Sequence, residues 1–412
     1  MARDQTLPLA PPRGMEDLLP EQAWAQSSLL SRLGKLFARF GYERVITPAV
    51  EHAEVLERGL EVDRREVMRF VDPETGEVAL LRPDITPQIA RIVATRMVDR
   101  PPPFRLAYHG TVLRRQRGRA RRSRQRVQVG IEHIGTADRA ADVEVIDLAI
   151  RACREVGLED FRVELGHVQI ARALLDAIEP AQRTRVEDAL ERKDVAELER
   201  LDAGALVPLA SMYGDLSMLD RARDELGTGP ELDALRAVTD ALGERGHGDV
   251  LSVDLGELRG HAYYTGVSFT ILAAGPGEPI GGGGRYDELL ARFGRSMPAT
   301  GFALDAGTLA WALQHRGTPW DPPRPLRIVA LGDARADAWR EHAMVASLAG
   351  TLETALDFAR AWRYDAVLVG ATLHRVHDGA TRALAQVDLA QGSDLAQAEL
   401  AATLAWARNE VR

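Results

Sequence analysis

Residues 281–309 read GGGGRYDELLARFGRSMPATGFALDAGTL. Four successive glycines offer two uses. Their amides can cradle a phosphate, although neither the GxxxxGK spacing nor a GxGxxG after a strand is present. Equally, a run without side chains lets a strand pass close to a ligand or to neighbouring backbone. Alone the run decides nothing, and its meaning comes from what surrounds it.

Upstream, Trp24, Leu29, Leu30, Leu33, Leu36, Phe37 and Phe40 recur at helical spacing over Glu21–Phe40 and stop at Gly41. YERVITPAV (42–50) follows as a strand running into a proline break. MRFVD, EVALLRPD, PFRLAYHGTVLRR and RVQVGIEHIG are β-rich, whereas 87–97 and 141–156 read as helices. Strands in runs with helices between them favour an α+β fold, an antiparallel sheet with helices on one side. From about 167 to 248 the pattern is helical and charged, VEDALERKDVAELERL being its clearest amphipathic piece, and strand character returns in VLSVDLGEL and YYTGVSFTILA. A helical insertion therefore splits a core of residues 1–320. WDPPRP (320–325) is a stiff linker to a small α/β domain over 326–412.

The composition excludes several functions. A chain of 412 residues, 45% hydrophobic, has material for large cores, and no stretch approaches the ~20 apolar residues of a membrane span. Residues 1–14 carry charges and prolines and lack a signal-peptide apolar segment, so the expected location is the cytoplasm. A net charge of -9 argues against a body that coats nucleic acid. Cys153, the one cysteine, reads as a core filler. His52, His109, His133, His167 and His261 never fall in an HExxH or similar ligand spacing and no GxSxG occurs, so neither a metal nor covalent catalysis is expected.

Three places carry chemistry. Arg114–Arg126, RRQRGRARRSRQR, is the densest positive run; it reads as a solvated hairpin tip, a nucleic-acid grip, or a clamp for phosphates and carboxylates. LRGHAYYTG sets Arg259 beside Tyr263 and Tyr264, enough to enclose a small zwitterion, but adjacent strand residues face opposite ways and only one tyrosine need enter a pocket. Asp84 and Thr86 share a face if LRPDIT is extended, as do Gln128 and Glu132 in QVGIE. Such acids suit an ammonium group, or simply solvent.

In order along the chain, PPRGMEDLLP, LRPDIT, YHGTVLRRQ with RQRVQVGIE, LRGHAYYTG, GGRYDELL and GFALDAGTL resemble the motifs of the class II histidyl-tRNA synthetase core, over most of Pro11–Ala312. The resemblance implies a histidine pocket at Asp84, Thr86, Arg114, Gln128, Glu132, Arg259, Tyr263 and Tyr264. It also implies a homodimer through the core and an anticodon-type origin for the C-terminal domain. That domain has no basic stripe, so tRNA is not an expected partner.

Departures from the synthetase pattern change the expected function. Thr308 stands where the family's last motif carries a phosphate-holding arginine; Leu113 to Gln116 read LRRQ in place of FRxE; His261 and Ala262 interrupt RGLDYY. Losing one fixed phosphate donor costs ~10²- to 10³-fold in rate. The combination, with Asp84 in LRPDITPQIAR, is similar to the regulatory subunits of ATP phosphoribosyltransferase. That implies no catalysis, no cofactor, histidine as ligand, and a hetero-octamer with the short catalytic subunit in histidine biosynthesis. On this reading Arg119, Arg121 and Arg122 contact a partner or an anion. A divergent histidine-activating enzyme and a histidine sensor with another partner are the competing readings.

Overall fold

The computed structural model describes residues 10–59, 67–114, 123–258, 264–315, 322, 324–332, 336–384, 402–403 and 405–407. Two compact units result, Met1–Asp321 and Pro322–Arg412.

The first helix, Pro20–Arg39, opens on a proline whose missing N–H costs nothing there, and Gln22 Oε1 accepts the Leu19 N–H at 3.1 Å. Leu29, Leu33, Leu36 and Phe37 form its buried stripe, and Gly41 ends it at φ +79°. Each such side chain contributes roughly 1.5–3 kcal/mol of transfer free energy. Arg139–Glu155 is capped by Asp138, whose carboxylate accepts the Ala140 N–H at 2.8 Å. Burial pushes the Cys153 thiol on this helix up to about 12, as befits an inert filler.

The central sheet has nine strands, in the order Glu43–Arg44, Phe104–Leu113, Gln125–Ile134, Ala299–Asp305, Gly281–Arg285, Val267–Ala273, Phe161–His167, Leu251–Asp254 and Tyr213–Gly214. Its middle is antiparallel, while Glu43–Arg44 joins Phe104–Leu113, and Phe161–His167 joins Leu251–Asp254, in parallel. The sheet is therefore mixed at its ends. Val50–His52, Val78–Leu81 and Met68–Val71 form a separate three-stranded sheet.

Three expectations need correction. YERVITPAV is no single strand: Glu43–Arg44 pairs with the large sheet and Val50 with the small one, with an irregular stretch over 45–48 and a bend at Ala49 between them. Helices do not lie on one face only. Pro20–Arg39 and Arg139–Glu155 pack in the core with Val129 and Ile131, whereas Thr86–Thr95 buries Ile89 and Val93 against Leu106, Tyr108 and Ile134 on the opposite face. Nor is LRPDIT extended. Pro83 to Ile85 make an irregular turn, and Thr86 is the first residue of a helix with Pro87 in its first turn.

Six α-helices, from Val168–Leu175 to Pro230–Glu244, fill the segment before the Leu251–Asp254 strand. Their Val186, Leu190, Leu209 and Leu235 share one core with Val163 and Val253, and Tyr213–Gly214 adds an edge strand, so the segment is welded to the sheet. In the second unit the order is Ala343–Leu348, Leu326–Leu331, Ala366–Val369, Thr372–Arg375, Thr381–Ala383, the first three parallel. Leu352–Ala361 lays Ala355 and Ala359 against Val329 and Val367.

Candidate functional site

Alternation along Gln125–Ile134 sends Arg126, Gln128 and Glu132 to one face of the sheet, and they line a cavity of about 460 Å³. Asp84, Thr86, Arg114 and Tyr264 line it too, so the six proposed pocket residues that fall within the described chain come together. Arg259 and Tyr263 lie outside the described residues, as do Gln116, Arg119, Arg121 and Arg122.

Arg82 holds the Pro83–Ile85 turn in place. Its guanidinium donates to Thr111 O at 2.7 Å, Thr47 Oγ1 at 2.7 Å and Thr47 O at 2.9 Å. It lies where a side chain at position 110 would be, which explains Gly110. Thus anchored, Asp84 accepts from the Thr86 N–H at 3.1 Å, Gln128 Nε2 at 3.0 Å and Arg114 at 3.2 Å. Gln128 Oε1 takes the Ile85 N–H at 3.0 Å, and Arg114 Nε donates to Pro83 O at 2.8 Å. The loop and two strands thereby become one hydrogen-bonded wall.

Glu132 is 1% exposed. Oε1 accepts from the Thr86 hydroxyl at 2.6 Å and the Tyr108 hydroxyl at 3.1 Å, and Oε2 from the Tyr286 hydroxyl. Burial pushes its carboxyl up to about 8; the hydroxyl bonds pull the other way, and the Asp84 charge adds to the rise. Gly301 faces it across the register, and a Cβ there would collide with the Glu132 carboxylate. Burial likewise raises the Tyr264 phenol well above its ordinary value. Tyr108, Tyr286 and Gly301, which surround the Glu132 carboxyl, carry no signal of that role in the sequence beyond Tyr108 lying two residues from Gly110 on the same face of its strand.

At the other end a guanidinium is present. Arg126 donates to Glu278 at 3.0 and 3.2 Å and to Asp305 Oδ2 at 3.3 Å. Asp305 Oδ1 in turn takes the Thr308 N–H at 2.8 Å. Thr308 itself is buried in the Ala306–His315 helix and is not a cavity wall. What distinguishes this end is less the missing arginine at 308 than the acids that hold the arginine at 126. Besides the proton-holding Glu132, the described walls carry five acids (Asp84, Glu164, Glu257, Glu278, Asp305) against Arg114 and Arg126, each already paired to an acid. Such a cavity suits a compact cation or zwitterion with hydrogen-bond donors and repels a polyanion. Asp254, close to Glu164 and Glu257, takes Lys193 Nζ at 2.6 Å. No helix among the described residues is long and apolar enough to cross a membrane.

The family model described as histidyl-tRNA synthetase matches residues 14–309. A protein from Anaeromyxobacter sp. (strain Fw109-5), named ATP phosphoribosyltransferase regulatory subunit, is 43% identical over 337 residues, covering 78% of this chain and 98% of that protein. One of the same name from Geobacter sulfurreducens is 38% identical over 321 residues, 74% of this chain and 73% of its own length. A solved structure from Bacillus halodurans, described as an ATP phosphoribosyltransferase regulatory subunit/histidyl-tRNA synthetase, matches with TM-score 0.75 at 28% identity, covering 88% of this chain and 98% of that one.

Proposed function

Since the chain belongs to the ATP phosphoribosyltransferase regulatory subunits, a family built on the histidyl-tRNA synthetase core, we propose that it activates a separate short catalytic subunit and performs no catalysis itself. The reaction served joins ATP and phosphoribosyl pyrophosphate into phosphoribosyl-ATP, the first step of histidine biosynthesis. One observation supports the non-catalytic reading above the rest: both described arginines of the cavity are neutralised from within the chain.

The ligand of the cavity on this reading is free histidine, the end product. Asp84, Thr86, Arg114, Gln128, Glu132 and Tyr264 form its site, completed by Arg259 and Tyr263. The acids meet the ammonium and imidazole N–H groups, and arginine meets the carboxylate. Histidine lowers activity only if it binds two states of the complex unequally, and a coupling of ~1–3 kcal/mol suffices for feedback.

The expected assembly is a cytoplasmic hetero-octamer in which this chain dimerises through its core. Arg119, Arg121 and Arg122 serve as partner contacts, and tRNA takes no part. The test is reconstitution: phosphoribosyl-ATP synthesis by a purified short catalytic subunit should depend on added chain. Activity indifferent to the chain contradicts the proposal, and histidine-dependent pyrophosphate exchange by the chain alone would restore the histidine-activating reading.

A further inference from the structure

Arg126 and Glu132 stand six residues apart on one strand face, about 20 Å along the strand, so the cavity has two separately built ends. The Glu132 end is hydroxyl-lined. At the other end Arg126 reaches Glu278, in the connection between the Val267–Ala273 and Gly281–Arg285 strands, and Asp305, the last residue of the next strand. The three side chains are only 17, 16 and 15% exposed, so these charges face one another with little water between them.

An ion pair this sheltered does little for stability, because desolvation cancels most of the attraction. Its stronger effect is on what else can enter. An anion reaching for Arg126 must displace two carboxylates and then lie beside them as like charges in a low-dielectric wall. Asp305 cannot swing aside freely, because its other oxygen takes the Thr308 N–H.

We propose that Glu278 and Asp305 are specificity determinants of this cavity: they occupy Arg126 as built-in substitutes for a ligand's anionic groups, admitting a compact zwitterion and shutting out a polyphosphate or nucleoside triphosphate. This deepens the reading of the cavity as a ligand site, without depending on the ligand being histidine. It also means that the polyphosphate-binding capacity is masked, not deleted.

The experiment uses the full chain and inorganic tripolyphosphate as probe, with binding followed by calorimetry. Glu278→Gln with Asp305→Asn removes both charges while the Asn oxygen still accepts the Thr308 N–H. Wild type should show no saturable uptake at millimolar probe, the double variant a gain of about tenfold or more in affinity, and addition of Arg126→Ala should abolish that gain. Glu278→Gln alone, a change in a connecting segment, should give a smaller gain and serves if the double variant does not fold. Uptake by wild type equal to the variants, no gain in folded variants, or a gain that survives loss of Arg126 each overturns the proposal. Histidine titrated into the same samples reports separately on the proposed function: its failure to bind wild type sinks that reading and leaves the tripolyphosphate comparison standing.

Discussion

The Thr86 hydroxyl donates to Glu132 Oε1 at 2.6 Å, tying the first residue of a helix to a strand 46 residues later. Tyr108 and Tyr286 add their hydroxyls to the same carboxyl. A buried acid is thus held ready at the floor of the cavity, and its protonation state is set by burial more than by any neighbour.

Its pH dependence follows. The Glu132 carboxyl titrates at about 8 in the folded chain against an ordinary 4.5, so between those values the folded state holds a proton that the unfolded state has lost. Stability must therefore fall as pH rises through that window, by up to about 1.4 kcal/mol per pH unit from this group, and level off above it. Glu132→Gln removes this contribution. Urea unfolding at several pH values should show a flatter profile for the variant; identical slopes would refute the assignment.

Gly301→Ala places a methyl group against the Glu132 carboxylate and the Ile131 carbonyl. The expected cost is about 1–3 kcal/mol of stability from overpacking, together with loss of ligand affinity. Denaturant melts and histidine titration of the variant check both, and a variant that melts and binds like wild type would mean that the floor is looser than drawn.

Asp84→Asn keeps an oxygen for the Thr86 and Gln128 donors but removes the charge facing Arg114 and available to the proposed ligand. Charged hydrogen bonds contribute about 1.5–3 kcal/mol, so histidine affinity should fall roughly ten- to a hundredfold with little change in melting temperature. Calorimetry distinguishes this from an Asp84 that only supports the turn, in which case melting temperature falls and affinity per folded molecule does not.

The fold was legible because its signals are periodic. Leu29, Leu33, Leu36 and Phe37 declare a helix, and Gln128 with Glu132 declare one strand face, whatever surrounds them. The turn at Pro83–Ile85 was not legible, because it is fixed by Arg82 reaching Thr47 and Thr111, long-range contacts that leave no local pattern. For the same reason Arg126 read as one more charge in a basic run, whereas Glu278 and Asp305, 152 and 179 residues away, define its role. Thr308 shows the converse: a substitution conspicuous in the sequence turned out to lie behind the wall, while the acid in front of it decides the electrostatics.

With both arginines of the cavity's described walls paired to acids, the chain should show no histidine-dependent exchange of pyrophosphate into ATP, while the same preparation binds histidine. Exchange above a protein-free control would place catalysis back in this cavity.

The most direct test of the central claim, that this cavity is the histidine-responsive site of a helper subunit, is phosphoribosyl-ATP synthesis by the short catalytic subunit mixed with wild-type or Asp84→Asn chain across a histidine titration. The account predicts equal activation by both chains without histidine, and inhibition at roughly ten- to a hundredfold higher histidine for the variant. Identical inhibition curves, or a catalytic subunit that ignores both chains, would contradict it.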